Sequence, residues 1–219
     1  MAHMLSDARE TVAIATAPGF RLLRHFFDEA SQRALINVVS DVLRTAPLYR
    51  AAMPRSGAPM GVVMTNCGRL GWVSDINGYR YQPLHPVTGL PWPPMPTPLL
   101  DLWSEVSGFE GAPEACLVNF YAPKTRLGLH VDADEDAKFA PVVSVSLGAA
   151  GLFRLGGAKR TDLTTRFWLV SGDVVVLGGA SRRFFHGVDR IDPAPSPLLD
   201  QPGRVNLTLR RVTRFDPAQ

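Results

Sequence analysis

The chain has 219 residues, 46% of them hydrophobic and 20% charged, with a formal net charge of +3. That length supports one substantial core without demanding two, and no apolar run approaches the roughly 18–20 residues of a membrane span. A charge this close to neutral neither requires nor excludes an anionic partner. Met1-Ala2-His3-Met4 resembles an expression-vector remnant, which leaves residues 5–219 as one expected domain. The apolar stretch Val12–Ala17 is short and is preceded by Asp7, Arg9 and Glu10 in place of a basic region, so a signal peptide is not expected and the cytoplasm is the expected location. The two cysteines, Cys67 and Cys116, are wrongly spaced for a zinc module and too few for a disulfide framework, and both are expected as buried thiols.

Between Asp28 and Pro47 the residues Leu35, Val38, Val39, Val42 and Leu43 recur at helical spacing, with Asp28 placed to cap and Pro47 to stop, so a helix is expected over Asp28–Ala46. Val62–Thr65 reads as a strand and Pro83–Pro98 as a proline-rich loop carrying Trp92. A second helix starts at Thr97-Pro98, read as a cap followed by proline at the first helical position. It carries Leu99, Leu100, Trp103 and Val106, with Trp103 in the core, and ends at Gly108. From Cys116 onward, short apolar runs are separated by glycine and proline, and strands are expected at Cys116–Tyr121, Val142–Leu147, Leu152–Leu155, Arg166–Val170, Val174–Leu177 and Arg204–Val212. Asp192–Gly203 reads as an irregular surface loop. Helices early and strands late predict a mainly β, α+β fold, a jelly roll with the helices packed outside.

In extended chain, successive side chains point to opposite faces, so His130 and Asp132 can aim at one point. His186 closes a β-rich run in Phe184-Phe185-His186-Gly187, and antiparallel sheets bring such distant strands together. Two imidazoles and one carboxylate on one face of an octahedral metal leave three positions open, the arrangement associated with non-haem Fe(II) oxygenases. A His-x-Asp pair alone is a weak signal, and the last strand strengthens it. Alternation there puts Val205, Leu207 and Leu209 on one face and Arg204, Asn206, Thr208 and Arg210 on the other. Two arginines inside a barrel need an anion; each guanidinium suits a carboxylate, and a dicarboxylate would suit both. Cys116–Tyr121 likewise puts Leu117, Asn119 and Tyr121 on one face, offering an amide and a phenol to the same ligand.

The stretches Met64-Thr65-Asn66-Cys67-Gly68, Leu70-Gly71-Trp72, Asn119-x-Tyr121-Ala122-Pro123, Leu129-His130-x-Asp132-x-Asp134-Glu135, Pro141-x-Val143-Ser144-Val145-Ser146-Leu147-Gly148, Gly172-Asp173-Val174-Val175-Val176 and Arg204-x-Asn206-Leu207-Thr208-x-Arg210 together resemble the AlkB family of alkylated-base dioxygenases, over nearly the whole chain. The resemblance implies a double-stranded β-helix catalytic core over residues 115–213 and a nucleotide-recognition lid over residues 47–96. It implies Fe(II) held by His130, Asp132 and His186, molecular oxygen as oxidant, and 2-oxoglutarate contacted by Asn119, Tyr121, Arg204, Asn206 and Arg210. By position, Met64, Trp72 and Tyr79 are similar to the family's base and phosphate contacts, with Trp72 stacking on the target base. Asp134 and Glu135 look like its acidic groups beside a cationic damaged base. The basic residues Lys124, Arg126, Arg160, Arg182 and Arg183 are candidates for phosphate contacts. The implied activity is oxidative dealkylation of bases of the 1-methyladenine and 3-methylcytosine type, releasing succinate, carbon dioxide and an aldehyde. The expected partner is alkylated DNA that is single-stranded or locally unpaired, because a base must leave its stack to reach a buried metal. RNA is a second candidate, and no membrane or obligate protein partner is expected.

The loop Met53–Met60 departs from the family's lid pattern, which leaves strand preference open, and His25 and His85 receive no role. Two rival readings keep part of this picture. An oxygenase of the same fold acting on a protein or small molecule would retain the triad and the arginines while using Trp72 and Tyr79 otherwise. A cupin-like metal module without redox chemistry would not need Arg204 and Arg210 inside the barrel.

Overall fold

Strands buried on both faces need two cores, and the side-chain alternation of this chain supplies them. The computed structural model describes residues 11–14 and 17–215; the presumed vector remnant lies outside them. In chain order the elements are β1 (Thr11–Ala13), β2 (Phe20–Leu23), α1 (Glu29–Thr45), β3 (Val63–Gly68), β4 (Gly71–Asp75), β5 (Gly78–Gln82), α2 (Thr97–Val106), β6 (Ala115–Tyr121), β7 (Leu127–His130), β8 (Val142–Gly148), β9 (Gly151–Leu155), β10 (Thr165–Leu169), β11 (Val174–Leu177), a 3-10 turn at Gly179–Arg183, β12 (His186–Ile191) and β13 (Arg204–Arg210). They form a seven-stranded sheet in the order β1-β2-β11-β8-β13-β6-β3, a four-stranded sheet in the order β10-β9-β12-β7, and the β4–β5 hairpin. All the named pairings are antiparallel.

One core lies between the larger sheet and the helices, where Val205, Leu207 and Leu209 of β13 and Cys116 and Val118 of β6 meet Leu35, Val39 and Val42 of α1 and Leu99, Leu102 and Trp103 of α2. The second lies between the sheets, joining Tyr121, Val142, Val175 and Leu177 of the larger sheet to Phe153, Leu155, Leu169, Val188 and Ile191 of the smaller. This is the jelly roll expected from the sequence, with the helices outside. A third cluster, including Tyr49, Met64, Val73, Trp92 and Leu117, seats the β4–β5 hairpin on the larger sheet. There Gly71 has no room for a side chain, since a Cβ would run into the Trp92 ring.

The α1 cap is as expected: the Asp28 carboxylate accepts from the Ser31 amide at 2.8 Å. The α2 cap is not, because Thr97 is already helical, Pro96 occupies the cap position and no side chain caps the helix. Trp103 is core, and its indole donates to the Gly111 carbonyl at 2.9 Å. Cys67 and Cys116 face each other across β3 and β6 as buried free thiols. The strands β1, β2, β4, β5, β7 and β12 go beyond the sequence expectation; each is short, and several are broken by glycine or by polar residues. No helix among the described residues is long and apolar enough to cross a membrane.

Candidate metal centre and its pocket

His130 ends β7 and His186 begins β12, and the two residues are direct cross-strand partners. Gly187 permits this approach, because a Cβ there would lie 2.6 Å from the Leu127 carbonyl oxygen. The imidazole centroids are 4.5 Å apart. Asp132, in the loop after β7, sends one carboxylate oxygen to 3.8 Å from His130 Nε2 and the other to 3.8 Å from His186 Nε2. One donor atom from each of the three residues falls within 4.8 Å of the others, the one such grouping among the described residues.

Each imidazole is oriented by its second nitrogen. His130 Nδ1 lies 2.9 Å from the Gly128 carbonyl and His186 Nδ1 lies 3.0 Å from the Phe184 carbonyl. A carbonyl only accepts, so both Nδ1 atoms carry the proton and both Nε2 lone pairs face the shared point, as metal ligation requires. Burial pushes the His186 pKa down to about 4, which keeps the ring neutral at physiological pH. Burial alone would raise the Asp132 pKa, but Arg210, His186, His130 and Arg182 outweigh it and hold the carboxyl well below the usual range. A monoanionic set of two neutral imidazoles and one carboxylate on one side, with open space on the other, fits a divalent iron.

The open space is a cavity of about 710 Å³ lined by the triad and by Asn119, Tyr121, Arg204, Asn206 and Arg210. Arg204 is 2% exposed, yet its one hydrogen bond is from Nη2 to Ser146 Oγ at 2.8 Å; Nε and Nη1 have no partner, and neither does Asn119 Oδ1. Burial lowers the Arg204 pKa, and its guanidinium lies 5.4 Å from the Tyr121 ring centroid. Asn206 is more fully engaged, donating to Ser144 Oγ at 2.7 Å and the Val145 carbonyl at 2.9 Å while accepting from Thr208. Arg210 pairs with Asp132 Oδ1 at 2.8 Å and donates to the Tyr81 hydroxyl at 3.1 Å. The two arginines expected to share an anion therefore differ: Arg204 has two unpartnered nitrogens to offer it, whereas Arg210 has one, Nε, and is turned onto the metal-facing carboxylate.

Most of the residues expected at the nucleotide line the same cavity. Met64, Trp72, Tyr79, Asp134 and Arg160 all line it, as do Met53 and Met60 of the departing loop and Arg126. Trp72 and Tyr79, from opposite strands of the hairpin, stack with centroids 5.4 Å apart and planes 24° apart. The Trp72 indole donates to Asp134 Oδ2 at 2.8 Å, fixing a carboxylate beside an aromatic face. Arg160 donates to the Leu129 carbonyl at 2.7 Å.

Glu135 and Arg182 stand apart from the expectation. Glu135 is 3% exposed and is not among the lining residues; it is paired with Arg182 at 2.8 Å, and Tyr81 donates to it at 2.5 Å. Arg182 is also buried, which removes it from the candidates for phosphate contact, while its neighbour Arg183 is exposed. Tyr81 and Gly187 carried no weight in the sequence reading. The one available signal was the glycine directly after a candidate ligand, which marks a close backbone approach.

Residues 19–210 match the model of the 2OG-Fe(II) oxygenase superfamily. The chain is 48% identical over 201 residues to the alpha-ketoglutarate-dependent dioxygenase AlkB homolog of Caulobacter vibrioides, covering 91% of this chain and 90% of that one. It is 43% identical over 200 residues to the alpha-ketoglutarate-dependent dioxygenase AlkB of Escherichia coli, covering 90% and 91%. A mouse protein named nucleic acid dioxygenase ALKBH1 is 36% identical over 132 residues, 58% of this chain and 33% of its own length. The solved structure of OsALKBH1 superposes with a TM-score of 0.75 at 30% identity, covering 92% of this chain and all of that one. With a His-Asp-His triad at the mouth of a jelly roll and a match that runs through both, the chain belongs to the 2OG-Fe(II) oxygenase superfamily and, within it, to the AlkB dioxygenases.

Proposed function

We propose that this dioxygenase removes alkyl groups from the ring nitrogens of nucleic-acid bases, and that residues 47–96 act as its nucleotide lid over a catalytic core spanning residues 115–213. The observation that carries this reading is the Trp72–Tyr79 stack with Asp134 hydrogen-bonded to Trp72, all lining the cavity that also holds the triad. An aromatic face binds any base by stacking, and a fixed carboxylate beside it favours a base made cationic by alkylation. The relatives named as AlkB and nucleic acid dioxygenases support the same reading.

His130, Asp132 and His186 would hold Fe(II), which with 2-oxoglutarate and molecular oxygen supplies the oxidising power to hydroxylate the alkyl carbon, the cosubstrate leaving as succinate and carbon dioxide. Arg204 anchors the far carboxylate of 2-oxoglutarate through its unpartnered donors, with Asn119 and Tyr121 beside it and Asn206 bracing the strand. Arg210 keeps Asp132 ionised and aimed. The lid residues Met53, Met60 and Met64 are unbranched and adaptable, and they close apolar surface over the base. Arg160 and Arg126, which line the cavity, are the cations offered to a backbone phosphate. The hydroxylated carbon separates as an aldehyde, returning the unmodified base. Because the triad faces a cavity of the barrel that a stacked base does not enter, the base must be outside a duplex stack, and single-stranded or locally unpaired DNA is the favoured substrate.

The test is mass spectrometry of single-stranded and duplex oligonucleotides carrying 1-methyladenine or 3-methylcytosine, incubated with Fe(II), ascorbate and 2-oxoglutarate beside a His130→Ala control. Loss of one methylene mass with the intact protein only, faster on the single strand, is expected. Brisk 2-oxoglutarate turnover with no change in any oligonucleotide would overturn the nucleic-acid reading, and equal turnover on both forms would overturn the strand preference.

A further inference from the structure

Ser181-Arg182-Arg183 looks in sequence like a pair of equivalent cations, but the fold separates them. Arg183 is exposed, whereas the Arg182 side chain is 3% exposed and every donor group it has is used. Nε donates to the Ala140 carbonyl at 2.8 Å, Nη1 to the Asp132 carbonyl at 2.7 Å and Nη2 to Glu135 Oε2 at 2.8 Å. All these acceptors lie in the segment 132–140, and its first part, residues 132–135, has no regular secondary structure. The metal-facing Asp132 therefore sits just past the end of β7, beyond the reach of the sheet ladder. What holds its main chain is a guanidinium from the 3-10 turn that leads into His186.

The pair continues into a closed circuit. Glu135 Oε1 is 3.5 Å from Arg210 Nε, and Arg210 Nη2 is 2.8 Å from Asp132 Oδ1. Arg182, Glu135, Arg210 and Asp132 are all buried, two cations and two anions in a ring. Arg182 fixes the backbone end of Asp132, and Arg210 fixes its carboxylate end. Tyr81 closes the same circuit onto the lid: its hydroxyl donates to Glu135 and accepts from Arg210, while across the hairpin it pairs with Trp72. Taking four ions out of water is a poor way to gain stability, since apolar side chains of similar volume often serve as well. An apolar side chain could fill this space but could not hold three points of a loop at fixed positions.

We propose that Arg182 is a positioning residue for the metal centre, setting the pose of Asp132 directly and through the Glu135–Arg210 circuit that also anchors the lid hairpin at Tyr81. Without Arg182 the Asp132 main chain loses its tether. Glu135 then keeps a buried negative charge whose remaining cation is Arg210, so Arg210 is drawn toward Glu135 and away from Asp132. Outer partners of metal ligands act in this way, and losing one typically weakens metal binding by about 10–100-fold.

The proposal rests on the triad being the metal site, and the experiment separates the two. The full chain, stripped of metal, is titrated with Mn(II) for affinity and with Co(II) for its visible absorption, without 2-oxoglutarate or nucleic acid. The wild type is compared with Arg182→Met, Arg182→Lys, Arg182→Met/Glu135→Gln and His130→Ala, each checked for folding by circular dichroism. The expected result is Mn(II) affinity lower by about 10–100-fold in Arg182→Met, with an altered Co(II) spectrum. Arg182→Lys should fall between, since an ammonium restores the charge but not the fork. The double variant should regain part of the loss, because it removes the orphaned charge. A folded Arg182→Met protein with wild-type Mn(II) affinity and Co(II) spectrum would overturn the proposal, whatever its melting temperature; if that variant does not fold, the same result in Arg182→Lys would overturn it. Wild-type affinity in His130→Ala would instead overturn the metal-site reading beneath it.

Discussion

Arg204→Met offers the most direct test of the cosubstrate site. Methionine keeps much of the apolar stem and removes the guanidinium, whose Nε and Nη1 are buried without a protein partner. Hydrogen bonds to charged groups contribute about 1.5–3 kcal/mol each. Losing even one net contact of about 2 kcal/mol weakens 2-oxoglutarate roughly 30-fold. Ligand binding raises stability by RT ln(1 + [L]/Kd), so at a concentration of about 100 Kd the intact protein gains about 2.7 kcal/mol. For a domain of this size each kcal/mol is worth roughly 2–4 °C, which makes the ligand-induced shift in Tm about 5–11 °C. After a 30-fold loss the same concentration is only about 3 Kd, and the gain drops to about 0.9 kcal/mol, or roughly 2–4 °C. The assay is a thermal melt with Mn(II) present throughout, so that nothing turns over, with and without 2-oxoglutarate. Arg204 forms no ion pair among the described residues, so its removal strands no buried carboxylate, and the variant should start close to the wild-type Tm. If it keeps the whole 2-oxoglutarate-induced shift, Arg204 does not anchor the cosubstrate.

Gly187→Ala should force β12 away from β7, since the new Cβ would lie 2.6 Å from the Leu127 carbonyl. An overpacking cost of about 1–3 kcal/mol predicts a lower Tm, together with Mn(II) affinity reduced at least tenfold. Unchanged Mn(II) titration would count against the close approach that pairs the histidines. In metal-free protein, burial pushes the His186 pKa down from its ordinary 6.5 to about 4. Between those values the unfolded chain takes up a proton that the folded protein refuses, so stability is present above about pH 6.5 and is lost as pH falls toward 4. Tm measured in EDTA should fall across that window by more in the wild type than in His186→Gln, and parallel curves would refute the assignment. Asp134→Asn should raise KM for an oligonucleotide carrying cationic 1-methyladenine by roughly tenfold, the effect of about 1.4 kcal/mol, while kcat changes less. An equal loss for a neutral alkylated base would show that Asp134 acts by holding Trp72 and not by its charge.

How far the sequence reached depends on whether an element imposed a period. In β13 and β6 it did: alternation sent Arg204, Asn206, Thr208 and Arg210, and likewise Asn119 and Tyr121, into the cavity, while Val205, Leu207 and Val118 met the helices. In α1 the 3.6-residue period and the Asp28 cap were equally legible. The β4–β5 hairpin was not, because its five-residue strands carry a single aliphatic side chain, Val73, and pack on Trp92 and Tyr49 of distant segments. The run from Asp132 to Asp136 shows the limit most clearly. Asp132 and Glu135 are buried while Asp134 and Asp136 are exposed, a three-residue spacing that would suit a helix in a segment that forms none. In such a loop the direction of each acid is decided by its partner: Arg210 for Asp132, Trp72 for Asp134 and Arg182 for Glu135. Arg182 and Arg183 repeat the lesson, two identical neighbours distinguished by the carboxylate and the two carbonyls that one of them meets. Residue type and the His-x-Asp spacing pointed to the metal ligands, and the paired strand ends that carry His130 and His186 bring them together. The charges that brace those ligands lie between strands, where a side chain's direction is a property of the tertiary fold.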